Sequence, residues 1–248
     1  MLDLAKRNGG DAITGLIEEN VEAAPEFRVV PVRLIGGTSY KTNKRTALPA
    51  VKFRKVNEGA ETVKSSYDQD LVVTFVVDAP IEVDTAVVEA DEEEQGVGSI
   101  LADEASGVVG GFMLTMGSQF YYGTGNDANG FQGLEHFVSS LQLVDAGGTT
   151  ASTGSSAYFV RLGGKQGVQF VAGKKSSLKL GRWMKQQVTR DSKKLMAMVN
   201  NLQGWVGMTI GHPRSVGRIH DLTEDSGKGM TDALASDLLT KFPVGVKP

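Results

Sequence analysis

Hydrophobic and polar positions repeat with two different periods along the chain, and the switches between them mark out the elements. Residues 11–23 place Ile13, Leu16 and Ile17 on one face and Glu18, Glu19 and Glu22 toward the other, which predicts an amphipathic helix that Pro25 ends. The run FRVVPVRLI (27–35) predicts a strand, and GGTSYKTNKRT after it a polar, basic turn region. LVVTFVV (71–77) is β-branched enough for a buried strand. Between them, residues 36–66 hold few large apolar side chains: Tyr40, Leu48, Val51, Phe53, Val56 and Val63. Such a segment cannot bury enough surface for a core of its own. It reads as a long hairpin that leaves the body and needs something outside itself to lie on.

Helical spacing returns over 84–120, where Asp84 and Thr85 are cap candidates, DEEE occupies 91–94 and Gly96 and Gly98 predict a break. The second part, from about Ser99, carries Leu101, Ala105, Val108, Phe112 and Met116 on one stripe. Its glycines at 107, 110, 111 and 117 each cost ~1 kcal/mol relative to alanine, so packing must hold this helix, and small residues there predict another backbone close by. Residues 139–222 change character. Short extended runs (SAYFVRL, GVQFVAG, RWMKQQVTR, KLMAMVNNL, GWVGMTI, VGRIHDL) alternate with Gly, Ser and Asp, which predicts a β-rich unit with a hairpin turn at Asp191-Ser192. A last helix is expected over MTDALASDLLTKF, capped by Thr231, with Leu234, Leu238 and Phe242 on one face.

Charge changes this picture more than composition does. The net charge is only −3, which gives no global basic footprint for nucleic acid, yet the signs are segregated. Residues 28–64 hold nine basic residues against Glu58 and Glu61; residues 65–160 hold fifteen acids and no Lys or Arg; residues 161–194 hold ten basic residues against Asp191. Two explanations compete: solvated faces that balance within one fold, or surfaces that a neighbouring copy covers. The 248 residues suit one large domain or two modest ones, and the absence of Cys excludes disulfide scaffolds, thiolate metal sites and cysteine nucleophiles. No apolar run approaches the ~20 residues of a membrane span, and MLDLAKRNGG lacks a signal-peptide core, so a soluble, cytosolic protein is expected.

Candidate chemistry is thin. GTGNDANG (123–130) contains Gly-x-Gly-x-x-Ala, with Asp145 twenty residues after Gly125, but it follows a helix instead of a strand, so a glycine-rich turn outweighs a nucleotide site. FVAGKKSS (170–177) lacks the first glycine of a phosphate loop and puts Lys175 at its Ser/Thr position. His136, His212 and His220 show no paired ligand spacing, although His212 and His220 could end one hairpin. EADEEE (89–94) fits a charged helix face better than an acid/base pair, and Trp183 and Trp205 fit packing better than ligand stacking. No catalytic residue, cofactor or metal is expected.

Three runs in order carry a family resemblance: LIEENVEAAPEFRVVPVRLIGGTSYKTNKRTALPAVKFRKVNEGAETVKSSYD (16–68), GSQFYYGTGNDANGFQGL (117–134) and NNLQGWVGMTIGHPRSVGRIHDL (200–222). Together they resemble tailed-bacteriophage major capsid (coat) proteins with the Hong Kong ninety-seven type fold. The resemblance implies an α+β chain with an N-terminal arm (1–26), an extended hairpin loop (27–77), a peripheral domain on a spine helix (78–138), a β-rich peripheral or inserted region (139–222) and the start of an axial domain (223–248). Relatives continue past the KFPVGVKP stretch, so an axial domain reduced or cut short is expected. The implied function is a structural one: self-assembly, through hexamers and pentamers, into an icosahedral virion shell built in the host bacterial cytoplasm around double-stranded DNA. Portal, scaffolding or decoration proteins are implied partners, DNA contact is expected to be non-specific, and no membrane is involved. The expected interface sets the basic hairpin residues Lys41, Lys44, Arg45, Lys52, Arg54 and Lys55 against a neighbour's Glu89, Asp91, Glu92, Glu93 and Glu94. The alternatives are a nanocompartment shell of the same fold and, from another class, a nucleotide-binding enzyme using the 123–130 turn.

Overall fold

A computed structural model describes residues 25–95, 99–150, 154–173 and 178–242; the helix expected at 11–23 lies outside them. The stretch expected as one strand over 27–35 is two elements. Helix α1 (Glu26–Val29) comes first, and strand β1 (Val32–Ile35) follows after Pro31. The helical turn sets Phe27 flat on Phe170, with ring centroids 5.0 Å apart, and buries Val30; an extended strand there would carry successive side chains to opposite faces.

The main sheet is organised by one long strand. KLMAMVNNL and GWVGMTI, expected as separate runs, are continuous in β10 (Lys193–Ile210), because Gly204 is a tolerated strand residue where the backbone of Leu178 passes close. Strand β4 (Phe75–Asp84) pairs antiparallel with β10 from Val206 back to Ala197. On the other edge β7 (Val168–Gly173) pairs with the end of β10 and carries β1 parallel to it. Strands β8 (Lys179–Leu180) and β9 (Met184–Arg190) complete the sheet on β10. Asp191 and Ser192 form the expected two-residue turn, both with positive φ, the backbone of the turn type that matches strand twist.

Helices α2 (Thr85–Gln95) and α3 (Ser99–Tyr122) follow β4; the break expected at Gly96 and Gly98 lies outside the described residues. Asp84 is the cap residue, accepting the Ala86 N–H at 3.0 Å, whereas Thr85 Oγ1 donates to the Met196 carbonyl. Met116 and Phe120 of α3 enter the main core with Phe131, Leu134, Phe170 and Met208. A smaller sheet, β5 (Leu143–Asp145), β11 (Val216–Leu222) and β6 (Ser155–Val160), packs its own core against helix α5 (Asp232–Thr240), whose Thr231 cap accepts from the Leu234 N–H. Helix α4 (Leu134–Phe137) sets Leu134 in the main core, and its Glu135 meets Arg218 of β11 at 2.6 Å.

Strands β2 (Ser39–Ala47) and β3 (Ser66–Val73) pair only with each other. The buried contacts of this hairpin lie at its base, where Val72 and half-buried Tyr40 join Ile35 and Val171. Beyond Ala47, Leu48, Val51, Phe53 and Val56 are exposed, as a segment without a core of its own requires.

The arm-side helix α1 is tied to α3 by one polar contact. Tyr121 Oη donates to Glu26 Oε1 at 2.7 Å, while Glu26 Oε2 is buried with no partner among the described residues. Burial first, and the adjacent carboxylate second, push the Tyr121 phenol well above its ordinary range. A raised folded pKa means that this contribution is complete below pH ~10 and is lost as pH climbs toward the folded value. Tyr121→Phe is expected to cost about 1–2 kcal/mol at neutral pH and to flatten the alkaline fall of stability, measured by urea unfolding at neutral pH and above pH ~10. An unchanged midpoint and slope would sink this reading.

Candidate self-assembly surface

The structure divides the charge blocks unequally. Part of the acidic block is balanced inside the chain: Glu89 of α2 meets Lys185 of β9 at 3.4 Å, and Glu82 of β4 meets Arg190 of β9 at 3.9 Å. The hairpin is different. Lys52 Nζ pairs with Glu61 at 3.1 Å, while Arg54 Nη1 donates to the backbone carbonyl of Glu58 at 2.6 Å, so among the described residues one of the nine cations of 28–64 is paired locally and the excess of cations remains. Arg45 lies 5.5 Å from the Tyr67 ring centroid and donates to its hydroxyl at 3.2 Å, which lowers the Tyr67 pKa. Lys41 and Lys55 are exposed. The side chains of Lys44, Asp91, Glu92, Glu93 and Glu94 lie outside the described ones. Within one subunit, no described ion pair joins the hairpin cations to Glu89.

Two surface hollows flank the hairpin base. A cleft of about 1070 Å³ lies beneath it, lined by Arg33, Arg45, Lys165 and Arg214 with no carboxylate among its lining residues. A groove of about 400 Å³ runs between β4 and α3, walled by Phe75, Val77, Val108, Phe112, Met116 and Phe131. Its rim carries Asp78 and Asp127 and no cation. The helix glycines at 107, 110 and 111 were expected to admit a neighbouring backbone, but within the chain a Cβ at any of them meets nothing within 4 Å. Their free side faces outward.

The 123–130 segment is a structural turn. Gly123 has φ +54°, and a Cβ there would stand 1.9 Å from the Gly133 nitrogen, so the chain leaving α3 crosses itself at a point only glycine permits. Buried Gln119 holds the loop: its Nε2 donates to the carbonyls of Phe131 (2.7 Å) and Asp127 (3.2 Å), and its Oε1 accepts from Asn126 Nδ2 (3.0 Å). Gly123 serves the backbone crossing and Gly130 makes room for the Gln119 amide, so the nucleotide-enzyme alternative loses its motif. His212 and His220 do not end one hairpin. His212 precedes a short 3₁₀ turn, and His220 lies in β11 beside Asp145 and Asp221. The ligand-type atoms of this trio lie within 4.8 Å of one another, which sequence spacing did not signal because β5 is brought in from 75 residues away. Local bonds already engage all three: Asp145 accepts the Gly147 N–H, and His220 Nδ1 meets Asp221 Oδ2 at 2.7 Å.

What remains is a chain whose conspicuous features are an uncovered hairpin, an uncovered groove and a glycine-forced helix exit. The family model for major capsid protein GP7 matches residues 27–241. The chain belongs to that family of major capsid proteins. Its fold is the Hong Kong ninety-seven type, and its role is that of a structural protein of the phage capsid. Solved structures agree on the fold. A chain of bacteriophage Epsilon15 superposes with a TM-score of 0.76 at 17% identity, over 98% of this chain and 78% of that one. The capsid of Myoviridae phage XM1 gives 0.59 at 10% identity, over 87% and 98%. The SrpI encapsulin of Synechococcus elongatus gives 0.63 at 9% identity, over 89% and 95%; it shares the fold, while the family match places this capsid protein with the phage shells. No curated protein sequence matches the chain. The family is a structural one, in keeping with the lack of a recognisable catalytic constellation in the sequence. No helix among the described residues is long and apolar enough to cross a membrane.

Proposed function

We propose that this capsid protein assembles, as hexamers and pentamers, into a closed icosahedral head enclosing double-stranded DNA, in the cytoplasm of a bacterial host. Portal, scaffolding or decoration proteins would complete the particle. In this reading residues 1–26 are the N-terminal arm, 27–77 the extended loop, 78–138 the peripheral domain, 139–222 its β-rich extension and 223–248 the start of the axial domain. One observation carries the proposal: a hairpin with exposed Leu48, Val51, Phe53 and Val56 and an excess of cations has no covering surface in its own subunit. Exposed apolar side chains of that number on a loop without a core are accounted for by a partner. Lys41, Lys44, Arg45, Lys52, Arg54 and Lys55 would then face acids of a neighbour, with Glu89 and Asp91, Glu92, Glu93 and Glu94 as the proposed set. DNA contact would be weak and non-specific, since the cationic cleft neutralises only a few phosphates at a time.

Purified full chain is expected to form shells or capsomers in negative-stain micrographs. In unassembled protein, limited proteolysis is expected to cut first between Lys41 and Lys64, and assembly is expected to protect that span. A small soluble oligomer that never forms shells, or equal resistance of the hairpin in both states, would contradict the proposal.

A further inference from the structure

The cleft beneath the hairpin base has walls of one sign. Arg33 stands on β1, Arg45 on β2, Lys165 in the turn before β7 and Arg214 in the 3₁₀ turn before β11, and no carboxylate is among the lining residues. None of the four cations belongs to an ion pair among the described residues. A hollow lined by one sign of charge focuses its field inward and concentrates counter-ions there.

The body side of the cleft is firmly built. Buried Ser215 donates its Oγ to the Gln166 carbonyl at 2.6 Å, and the Gly211 N–H donates to the Gly167 carbonyl at 3.2 Å. These bonds fasten the turn carrying Lys165 to the turn carrying Arg214. A Cβ on Gly211 would stand 2.1 Å from the Lys165 carbonyl oxygen, so the seam between the turns is tight. The amides of Gly164, Lys165 and Gln166, which also line the cleft, donate to no backbone carbonyl among the described residues. Main-chain donors therefore stand beside the cations. Toward the hairpin, rings hold the guanidiniums: Arg33 lies 4.5 Å from the Tyr40 centroid and Arg45 5.5 Å from that of Tyr67. A guanidinium placed in advance loses less freedom on taking an oxyanion, and its fork matches two oxygens of a phosphate.

Size and arrangement select the anion. At about 1070 Å³ the cleft has far more room than one phosphate needs and matches the upper end of small-ligand sites. Duplex DNA presents its phosphates as a continuous track, which a stripe of cations along one face serves. Here the cations converge from four separate elements around a hollow, which serves a compact anion of several charges.

We propose that the cleft binds a compact oligophosphate, either inorganic tripolyphosphate or the triphosphate of a nucleotide, with Arg33, Arg45, Lys165 and Arg214 as its counter-charges. Arg45 belongs to the hairpin, whereas Lys165 and Arg214 belong to the body, so the bound anion ties the hairpin to its own subunit. Strands β2 and β3 pair only with each other, and no strand pairing fixes the angle at which they leave. The anion sets that angle. This site goes beyond the shell reading and does not depend on it.

Isothermal titration of the full chain with tripolyphosphate near physiological salt (about 0.15 M) tests the site. Saturable binding of one anion per chain is expected, and orthophosphate at equal ionic strength is expected to bind at least about tenfold more weakly, because it brings fewer charges to the same cations. Lys165→Gln and Arg214→Gln are each expected to weaken binding about tenfold, the order of one charge-assisted hydrogen bond. Both are expected to melt with the wild type when no anion is present, since neither side chain is in a described ion pair. Hydrogen exchange read by mass spectrometry is expected to slow at 164–166 and over 39–47 when tripolyphosphate is bound; unchanged exchange at either overturns the proposal. Equal affinity for tripolyphosphate and a nucleoside triphosphate means that the phosphate chain alone is read, and tighter binding of the latter assigns the nucleotide as the source; both support the site. No saturable binding, or an affinity that neither substitution moves, overturns it. So does a short DNA duplex that outcompetes tripolyphosphate at equal phosphate concentration, which would make the cleft a backbone track.

Discussion

Gly123→Val is expected to unfold or nearly unfold the subunit, while Gly110→Ala, thirteen residues earlier and inside α3, is expected to stabilise it. At position 123 a side chain meets the Gly133 nitrogen at 1.9 Å and the Gln132 backbone below 3 Å, on a residue with φ +54°. Left-handed backbone costs roughly 1–2 kcal/mol for a residue with a Cβ, and forcing atoms into a packed crossing typically costs another 1–3 kcal/mol. Both partners are backbone, so neither can swing away, and the sum is a large part of the about 5–15 kcal/mol that holds a domain folded. The Gln119 bonds to Phe131 and Asp127 would be disrupted with it. At position 110 a Cβ meets open space, so only the helical term remains, a gain of about 0.5–1 kcal/mol. Thermal melts of unassembled subunits check both signs. A Gly123→Val variant that melts with the wild type would show that the crossing does not hold the helix exit.

Reversing the hairpin charge with Lys44→Glu and Arg45→Glu is expected to slow or misdirect assembly severely while leaving the subunit folded. The second link follows from exposure: Arg45 loses a stacking and hydroxyl contact on Tyr67 that is solvent-facing, worth no more than about 1 kcal/mol. The first follows from repetition. Each exposed pair across an interface contributes only ~0–1 kcal/mol, but the same pair recurs at every equivalent contact of a closed shell, so register and partner choice depend on the set. Adding Glu92→Lys and Glu93→Lys is expected to restore part of the yield. Normal assembly of the double reversal at low salt, read by light scattering, would show that the blocks are solvated faces. Wild-type yield is also expected to fall between low salt and ~0.5 M, where screening lengths drop well below 10 Å.

Much of the fold was legible because it is written in local chemistry. The Asp84 cap, the Asp191-Ser192 turn and the Thr231 cap depend on residues within a few positions of one another. The hairpin was legible for the opposite reason, since a long stretch with six large apolar residues cannot close on itself. The strand expected over 27–35 failed because β-branched composition does not know that Phe27 must lie flat on Phe170, 143 positions away. The helix glycines were read as a close approach, but composition alone cannot say whether the approaching backbone belongs to the same chain.

The candidate surface divides along the same line. By itself the sequence determined the family pattern, the segregation of charge and a loop with nothing of its own to lie on, all properties of neighbouring residues along the chain. Only the tertiary structure decided that Glu82 and Glu89 meet Arg190 and Lys185 of the third charge block within the subunit, while no described ion pair joins the hairpin cations to them, because packing brings residues far apart in sequence to one surface. It also decided that Asp78 and Asp127, 49 positions apart, share the rim of one apolar groove. A hollow is made by elements packed from different parts of the chain, so its shape and its sign exist only once β4 and α3 lie side by side.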